Sequence, residues 1–372
     1  MRRRRAQVYQ DRILKAQKLM ANLDLDLMVL FPSSNMLYLS GFYDEPGERM
    51  LLLLVPREGN PVFLAPELYG EQIKQKSPFR DVRIWKDSHD PTDLLQRTVV
   101  DFGPADARVL VDDGMWAVFF LMLREVLPKA SFSLASWIMA PLRMQKTSHE
   151  IRCLEKAGAV ADEAFEEVIR SRLCGMTELT LATALEEAMK KRGAEKIGFE
   201  TLVASGPNSA LPHHRAGQRR IEPGDVIILD YGCRIGGYCS DITRTIVCRE
   251  ASKEIQAIYE IVERAQEKAV RAVKVGVSAE EVDRAARQEI AKAGYDERFI
   301  HRTGHGIGLD VHEEPYITQG NHLDLQEGMT FSVEPGIYLP GRFGIRIEDI
   351  VVVTQTGVQR MNRCTHTLQI VE

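Results

Sequence analysis

The stretch VIILDYGCRIGGYCSDITRT, residues 226–245, has the pattern of a β-hairpin that carries one aspartate in each arm, Asp230 and Asp241. A turn centred on Ile235 and Gly236 would place the two aspartates directly opposite each other. Opposed residues of a hairpin have Cβ atoms about 4.5–5.5 Å apart, and two like charges at that distance destabilise the pair. The stretch therefore predicts a cation between the two carboxylates, unless their spacing is an accident of composition.

A second stretch, SVEPGIYLPGRFGIRIEDIV at residues 332–351, repeats this arrangement. Its two glutamates, Glu334 and Glu348, lie symmetrically about Gly341, so a turn at that glycine would bring them together. Arg346 lies two residues before Glu348, and because side chains alternate along a strand it is expected on the same face. Two hairpins with symmetric acid pairs indicate one site built from four carboxylates.

Between the hairpins, HRTGHGIGLDVHEEP at residues 301–315 places His305 between two glycines, where the backbone can approach a site closely. Four clustered carboxylates raise one another's pKa values, whereas two divalent cations would balance their four charges. Oxygen ligands with one imidazole nitrogen suit Mn, Co, Fe or Zn and disfavour copper. Two such ions about 3.5–4 Å apart can lower the pKa of a shared water and polarise a carbonyl, which is chemistry for cleaving an amide or ester bond.

Each of these residues also has an ordinary structural explanation. An aspartate at the end of a strand usually caps it or accepts a hydrogen bond in a turn. A lone glutamate is usually a surface residue, and a histidine beside glycine is more often a loop or core residue than a ligand. The prediction of a metal site therefore depends on the whole set and its spacing.

Length and composition limit the classes of protein to consider. The chain has 372 residues, 44% of them hydrophobic and 27% charged, which is typical of a soluble globular protein with two domains. The net charge of −5 gives no basic field for nucleic acid, and no apolar run approaches the roughly 18 residues that span a bilayer. The six cysteines form no CxxC pair. We expect a cytoplasmic protein that binds neither nucleic acid nor membrane.

The order of elements predicts two domains, residues 1–143 and 144–372. The first alternates short apolar runs with amphipathic helices, which indicates an α/β layer. The second has its helices and strands in separate runs, which indicates an α+β domain with a curved antiparallel sheet. Its helices are expected at 146–172, 177–192, 252–274 and 279–293. Thr147 or Ser148 is the expected N-cap of the first, and Ser278 with Glu281 forms a capping box at the last.

In these motifs the sequence resembles the pita-bread metallopeptidases, in particular the proline-directed branch of Xaa-Pro dipeptidase (prolidase) and aminopeptidase P. The matching motifs follow the family's order: LDYG, SDITRT, GHGIG, VEPGIY and RIED. The resemblance covers the whole second domain, and the first domain is similar to the creatinase-type domain of these enzymes. It implies two divalent metal ions bound by Asp230, Asp241, His305, Glu334 and Glu348, with Asp241 and Glu348 bridging them.

The resemblance also implies catalytic and substrate-binding residues. The segment SALPHHRAG contains two histidines, and the family's usual interval to the first aspartate favours His213 over His214 as the residue that contacts the scissile carbonyl or oxyanion. His312 resembles the histidine near the prolyl ring and the reaction centre, and Arg346 resembles the arginine that holds a substrate carboxylate. Glu334 can in addition take a proton from the attacking water. The other histidines considered are expected to be structural: His301, His322 and His366.

The activity implied is hydrolysis of the peptide bond before proline, with Xaa-Pro dipeptides favoured because the first domain is compact. The alternative is an aminopeptidase P that acts on longer peptides with proline in second position. In this family the first domain commonly closes the partner's active site, so a homodimer is expected. Three further classes compete: an inert peptidase-like binding module, a metal-free creatinase-type C–N hydrolase, and a lyase for a small sulfonium acid. The complete set of acids argues against the first two.

Overall fold

The computed structural model describes residues 2–102 and 105–372, without the side chains of residues 2–5. The chain divides into two compact units, Met1–Leu142 and Arg143–Glu372. The division matters for function because every residue singled out from the sequence lies in the second unit.

The first unit contains a mixed sheet with helices between its strands. Within the described residues its strands follow the order β4-β3-β2-β1-β5-β6. These strands are β1 Leu27–Leu30, β2 Leu52–Pro56, β3 Val62–Pro66, β4 Val82–Trp85, β5 Arg108–Val111 and β6 Ser131–Leu134. The helices are α1 Arg2–Asn22, α2 Ser34–Ser40, α3 Gly70–Lys76, α4 Pro91–Val99, α5 Ala117–Val126 and α6 Ser136–Met144.

The buried strands of this sheet correspond to the short apolar runs of the first domain. Strands β1, β2 and β3 are buried throughout and β5 nearly so, and they read as continuous apolar runs. Strands β4 and β6 lie at the two edges, have partly exposed residues and contain no apolar run, so no pattern marks them. The α/β class expected of this part of the chain is confirmed by its element order.

The second unit, all of whose residues are described, carries helices in two pairs and several small sheets. Its helices are α7 Ser148–Val168, α8 Glu178–Lys191, α9 Lys253–Ala272 and α10 Ala279–Lys292. Its strands are β7 Lys196–Ile197, β8 Leu202–Ser205, β9 Val226–Tyr231, β10 Cys233–Ile235, β11 Tyr238–Cys239, β12 Ile242–Cys248, β13 Gly304–Gly306, β14 Glu313–Ile317, β15 Thr330–Val333, β16 Gly336–Leu339, β17 Phe343–Arg346, β18 Asp349–Thr354, β19 Gly357–Arg360 and β20 Gln369–Val371.

These helices start where the sequence places their caps. The Thr147 hydroxyl and the Glu150 carboxylate form a capping box at the start of α7, and Ser278 with Glu281 forms the expected one at α10. Helices α9 and α10 pack against β15 and β18 in one apolar cluster, while α7 and α8 pack against β9 and β12 in another. The helices therefore cover the sheets, and the sheets hold the polar residues of interest.

The first hairpin turns one residue later than expected, so that the residue opposite Asp230 differs by two positions. Strands β9 and β12 pair with Thr243 opposite Asp230, and Ile235 lies opposite Tyr238 at the tip. The turn is therefore Gly236–Gly237, with φ of 60° and 83°, and the expected turn at Ile235–Gly236 is wrong. The tight turn that matches strand twist needs φ > 0 at both central residues, which two glycines provide and a β-branched isoleucine does not.

This register sets the two aspartates diagonally across the strands. Asp241 lies two residues before Thr243, the residue opposite Asp230, and so shares a face with Asp230. Diagonal neighbours are about 7–8 Å apart, against about 5 Å for directly opposed residues. The arrangement thus leaves more room between the carboxylates than the sequence suggests.

The second hairpin has the expected register. Strands β16 and β17 pair from Gly336–Arg346 to Leu339–Phe343 about Gly341, whose φ is 72°. Strands β15 and β18 continue the same register beyond the acid pair, with Val333 opposite Asp349. A turn centred at Gly341, which the sequence predicts, is confirmed.

At the two glutamates the strands of the second hairpin no longer pair with each other. Their backbone amides instead donate hydrogen bonds to two other segments. The Glu334 amide donates to the Thr303 carbonyl at 2.8 Å, next to the strand that carries His305. The Glu348 amide donates to the Thr243 carbonyl at 3.1 Å, in the first hairpin. The backbone therefore joins both hairpins and the histidine strand at one place.

Candidate metal centre

A cavity of about 630 Å³ opens at this junction in the second unit. All the site residues expected from the sequence line it: His213, Asp230, Asp241, His305, His312, Glu334, Arg346 and Glu348. Ligand atoms of Asp241, His305 and Glu348 lie within 4.8 Å of one another. The structure thus brings together residues from four separate stretches of the chain.

Three carboxylate oxygens of this cluster are buried without a hydrogen-bond donor among the described residues. They are Oδ1 of Asp230, Oδ1 of Asp241 and Oε1 of Glu348. The Oε2 atom of Glu348 accepts from the Thr243 hydroxyl at 2.7 Å, so that carboxylate is held in one orientation. Buried oxygens without donors are rare and costly, and cations would satisfy all three.

His305 presents an unprotonated nitrogen to these acids. Its Nδ1 lies 3.1 Å from the Gly306 carbonyl and must donate to it. Burial and the neighbouring His312 lower the pKa of His305 to about 3, so the ring is neutral and Nε2 carries a lone pair. That Nε2 lies 3.3 Å from Oε1 of Glu334 and 3.7 Å from Oδ2 of Asp241. The imidazole nitrogen and the two carboxylate oxygens all accept hydrogen bonds and donate none, so a cation between them would satisfy all three.

The carboxyl pKa values show the same conflict of charges. Burial, and then the neighbouring carboxylates, raise the pKa values of Asp241 and Glu348 well above their usual range. Burial also raises the pKa of Glu334 to about 7, with Asp230 adding to the rise and Arg346 opposing it. Divalent cations would remove this conflict. By donor type, burial and unsatisfied atoms, the cluster fits divalent metal.

Arg346, expected to hold a substrate carboxylate, donates hydrogen bonds to three groups of the protein. The guanidinium is 3% exposed. It donates through Nη2 to Oδ2 of Asp230 at 2.5 Å, through Nη1 to the Tyr338 hydroxyl at 2.8 Å and through Nε to the Thr243 hydroxyl at 3.1 Å. These contacts fix Asp230 with its Oδ1 directed away from the arginine.

The two histidines of the SALPHHRAG segment are distinguished by Glu178 in α8. His214 Nε2 lies 2.8 Å from Oε2 of Glu178, whose side chain is fully buried. That carboxylate also accepts from Ser205 and Asn208, so His214 is part of a structural network. Both histidines line the cavity, but His213 has no such partner in the described residues, which favours His213 as the histidine that can contact a substrate.

His312 lies against His305 and is held by its neighbour in sequence. The two rings meet edge to face with centroids 4.2 Å apart. The next residue, Glu313, accepts from Lys146 at 2.7 Å and from Arg143 at 2.5 Å. Burial and then Arg302 lower the pKa of His312. A neutral imidazole is therefore fixed at the side of the cavity.

Other cavity residues were not expected from the sequence. His301, expected to be structural, lines the cavity. Its Nδ1 donates to the Arg302 carbonyl at 2.7 Å, so its Nε2 accepts from the Tyr338 hydroxyl at 2.9 Å. Tyr338 thus connects His301 to Arg346. The sequence gives no sign of these contacts, because the three residues come from separate elements: the loop before β13, strand β16 and strand β17.

The other two histidines expected to be structural, His322 and His366, are not among the residues that line the cavity. His322 is exposed and lies 3.1 Å from Glu280, and His366 lies 2.8 Å from the buried Asp349. Asp349 follows Glu348 and faces the opposite way, toward Arg244. Both histidines have the structural contacts expected of them.

Comparison with known families identifies the class of protein. Residues 152–355 match the model of metallopeptidase family M24, and residues 12–145 match the creatinase/prolidase N-terminal domain. The chain belongs to metallopeptidase family M24, which confirms the resemblance seen in its motifs and implies that it uses divalent metal.

Individual relatives match over nearly the whole chain. The probable dipeptidase PepE of Mycobacterium tuberculosis is 41% identical, with 100% of this chain and 98% of the relative aligned. The crystal structure of a prolidase from Thermococcus sibiricus superimposes with a TM-score of 0.94 at 41% identity, covering 98% and 99% of the two chains. An X-Pro aminopeptidase from Thermotoga maritima gives 0.84 at 34% identity, covering 95% and 98%. The fold is the expected one, a creatinase-like α/β domain followed by the α+β pita-bread domain.

The helices carry no membrane signal. In the part of the chain that the structure describes, none combines the length and the apolar character needed to cross a bilayer.

Proposed function

We propose that this protein is a dinuclear metal-dependent hydrolase that cleaves the peptide bond before proline in Xaa-Pro dipeptides. The observation that carries the proposal is the cluster of buried carboxylate oxygens without donors around an imidazole Nε2 without a proton. Relatives that match over the whole chain carry the names dipeptidase and prolidase, which supports the substrate class.

The proposed metal ligands are Asp230, Asp241, His305, Glu334 and Glu348, holding two divalent ions drawn from Mn, Co, Fe or Zn. By the family resemblance, Asp241 and Glu348 would contact both ions; both residues are buried, and their ligand atoms lie within 4.8 Å of that of His305. When bound, such ions supply Lewis acidity and lower the pKa of water. Arg346 and the Thr243 hydroxyl hold two of these carboxylates in the orientation that leaves one oxygen of each free.

The other cavity residues handle the peptide and the proton. Glu334, which lines the cavity with Oε1 3.3 Å from Nε2 of His305, takes a proton from the attacking water as that water adds to the carbonyl carbon of Xaa. His213 donates a hydrogen bond to the oxygen that becomes negative. His312, beside His305, contacts the prolyl side of the substrate. The C–N bond then breaks, and the proline nitrogen leaves with the proton.

The test is a comparison of peptide hydrolysis by the same preparation with and without metal. The protein is stripped with EDTA, reloaded with Mn²⁺ or Co²⁺, and offered Ala-Pro, Gly-Pro and Ala-Pro-Ala. We expect metal-restored cleavage of the dipeptides and little of the tripeptide. Asp241→Asn should lose more than about 100-fold in activity while staying folded, because it removes a proposed bridging ligand. Glu222→Gln, at an exposed carboxylate, is the matched control.

Aminopeptidase P activity is the second candidate, favoured by the similarity to the Thermotoga maritima aminopeptidase. Equal or better cleavage of Ala-Pro-Ala would establish it in place of dipeptidase activity. Metal binding without cleavage of any peptide would contradict both, and would indicate hydrolysis or elimination at another bond on the same scaffold.

We also propose a homodimer that works in the cytoplasm. All six cysteines are free thiols, which agrees with a reducing compartment. The homodimer follows from the family resemblance alone. Sedimentation velocity should give twice the mass of the 42.0 kDa chain, and the mass of a single chain would contradict it.

A further inference from the structure

Among the described residues, three arginines line the cavity, and they differ in the number of hydrogen bonds and ion pairs that they make with other groups of the protein. The arginines on its wall are Arg215, Arg302 and Arg346. Arg346 is buried and bonded to three protein groups. The Arg215 side chain is 84% exposed and lies 3.5 Å from Glu200. Arg302 is half-buried and, among the described residues, has no ion-pair partner for its guanidinium.

Arg302 is held in place by an aromatic ring, which leaves its hydrogen-bond donors free. Its guanidinium lies over the Tyr316 ring, 4.2 Å from the centroid. Tyr316 is in β14 and pairs with His305 of β13, so this stacking is anchored beside the proposed metal ligands. A cation held by an aromatic face keeps its N–H groups available for an anion.

The backbone at Arg302 is fixed on both sides. Its carbonyl accepts from His301 Nδ1 at 2.7 Å. The next residue, Thr303, donates to the buried Asp283 through its amide at 3.2 Å and its hydroxyl at 2.7 Å. The Thr303 carbonyl in turn accepts from the Glu334 amide. The guanidinium is therefore tied to the same segment that positions Glu334.

Arg302 lies on the wall of the cavity that holds the acid cluster. His312, Asp230 and Glu334 line the same cavity. A cation near those residues would face the end of a peptide whose scissile carbonyl lies at the acid cluster.

We propose that Arg302 binds the C-terminal carboxylate of a dipeptide and so restricts the enzyme to dipeptides. This inference rests on the proposed peptidase function. A guanidinium can bond a carboxylate through two parallel N–H groups. A longer peptide presents a neutral carbonyl and a continuing chain at that position, and so loses the ionic contact. Arg346, already engaged by Asp230, would leave this role to Arg302.

The experiment compares Ala-Pro with Ala-Pro amide, which lacks the charge but keeps the scissile bond, using metal-loaded enzyme. The wild-type protein should prefer Ala-Pro. Arg302→Gln should lose about 10–100-fold in kcat/KM on Ala-Pro, mainly through KM, because charged hydrogen bonds are worth about 1.5–3 kcal/mol. On the amide it should stay within about threefold of wild type. Arg215→Gln, at the exposed arginine of the cavity wall, should retain the preference.

Arg302→Lys keeps the charge but not the paired N–H groups, and should lose about 10-fold on Ala-Pro alone. It is the variant to use if Arg302→Gln does not fold. An equal loss on both substrates, or an unchanged preference in both variants, would overturn the inference while the wild-type activity stands. A wild-type enzyme that cleaves neither substrate after metal loading would overturn the proposed function, and the inference with it.

Discussion

At the scale of single residues, Glu334 has a raised pKa whose effect on stability can be measured as a function of pH. In the metal-free protein, burial, opposed by Arg346 and assisted by Asp230, raises the pKa of Glu334 from 4.5 to about 7. The folded state therefore binds this proton more tightly than the unfolded state does. The resulting contribution to the free energy of unfolding is complete below about pH 4.5 and disappears as the pH rises through about 7.

We therefore expect metal-free wild-type protein to lose stability relative to Glu334→Gln between pH 5 and pH 8, by an amount of the order of 1–3 kcal/mol. The glutamine has no proton to lose, so it does not make the pH-dependent contribution that Glu334 makes. Thermal unfolding after EDTA treatment at several pH values gives the difference. For Glu222→Gln, at an exposed carboxylate, the difference from wild type should stay constant. A constant difference for Glu334→Gln as well would contradict the assignment.

Single residues also show which site positions could be predicted from the sequence. The five proposed ligands follow from the symmetric acid pairs of the two hairpins, the position of His305 between glycines and the order of the family's motifs. The choice between His213 and His214 was supported by motif spacing, but the physical reason is the Glu178 carboxylate in α8, 36 positions before His214. Arg302 could not have been found, because its stacking on Tyr316 depends on an irregular pairing of β13 with β14.

At the scale of elements, β13 is the strand most restricted by its neighbours. A Cβ atom on Gly304 would lie 1.8 Å from the Ser332 carbonyl oxygen, and one on Gly306 would lie 2.2 Å from the Glu314 carbonyl oxygen. His305 is thus held between glycines because strands on both sides approach its backbone. Neither glycine has a positive φ, so the restriction comes from packing alone.

Gly304→Ala should therefore destabilise the protein by more than about 2 kcal/mol and weaken metal binding, because the strand must move and take His305 with it. Gly217→Ala is the matched control, since its Cβ would meet its nearest neighbour, Glu178, at an ordinary 3.8 Å. Thermal unfolding and bound-metal analysis of both variants make the comparison. Normal metal content and stability in Gly304→Ala would show that β13 can accommodate the added methyl group without displacing His305.

The two hairpins show how far element geometry follows from sequence. In the second, the symmetric acids and a glycine at the centre gave the observed register. In the first, the symmetry of the aspartates pointed to the wrong turn, although the Gly236–Gly237 pair carried the signal for the observed one. The edge strands β4 and β6 gave no signal, because an edge strand needs no apolar run. Local turn chemistry was thus the better predictor of register.

At the scale of the whole molecule, metal should contribute directly to stability. The buried acids repel one another in the metal-free protein, and ligand binding stabilises a fold by an amount set by its concentration over the dissociation constant. At about 1,000-fold excess over that constant this amounts to about 4 kcal/mol for one ion.

EDTA should therefore lower the Tm by roughly 10 °C, taking about 2–4 °C per kcal/mol for a domain of this size. Scanning calorimetry of the metal-loaded and stripped protein makes the measurement. Asp241→Asn should show a much smaller shift, because it binds less metal. An equal Tm for loaded and stripped wild-type protein would mean that the cluster is stable without cations.

The bond between the Glu348 amide and the Thr243 carbonyl has a further consequence. It joins two hairpins whose residues lie 105 positions apart in the chain, and four of the five proposed ligands are divided between them. An ion held there must detach from ligands on both hairpins, so a local opening of this junction should speed its loss. The working lifetime of the enzyme in the presence of a chelator would then be a kinetic property of this junction, separate from its equilibrium affinity for metal.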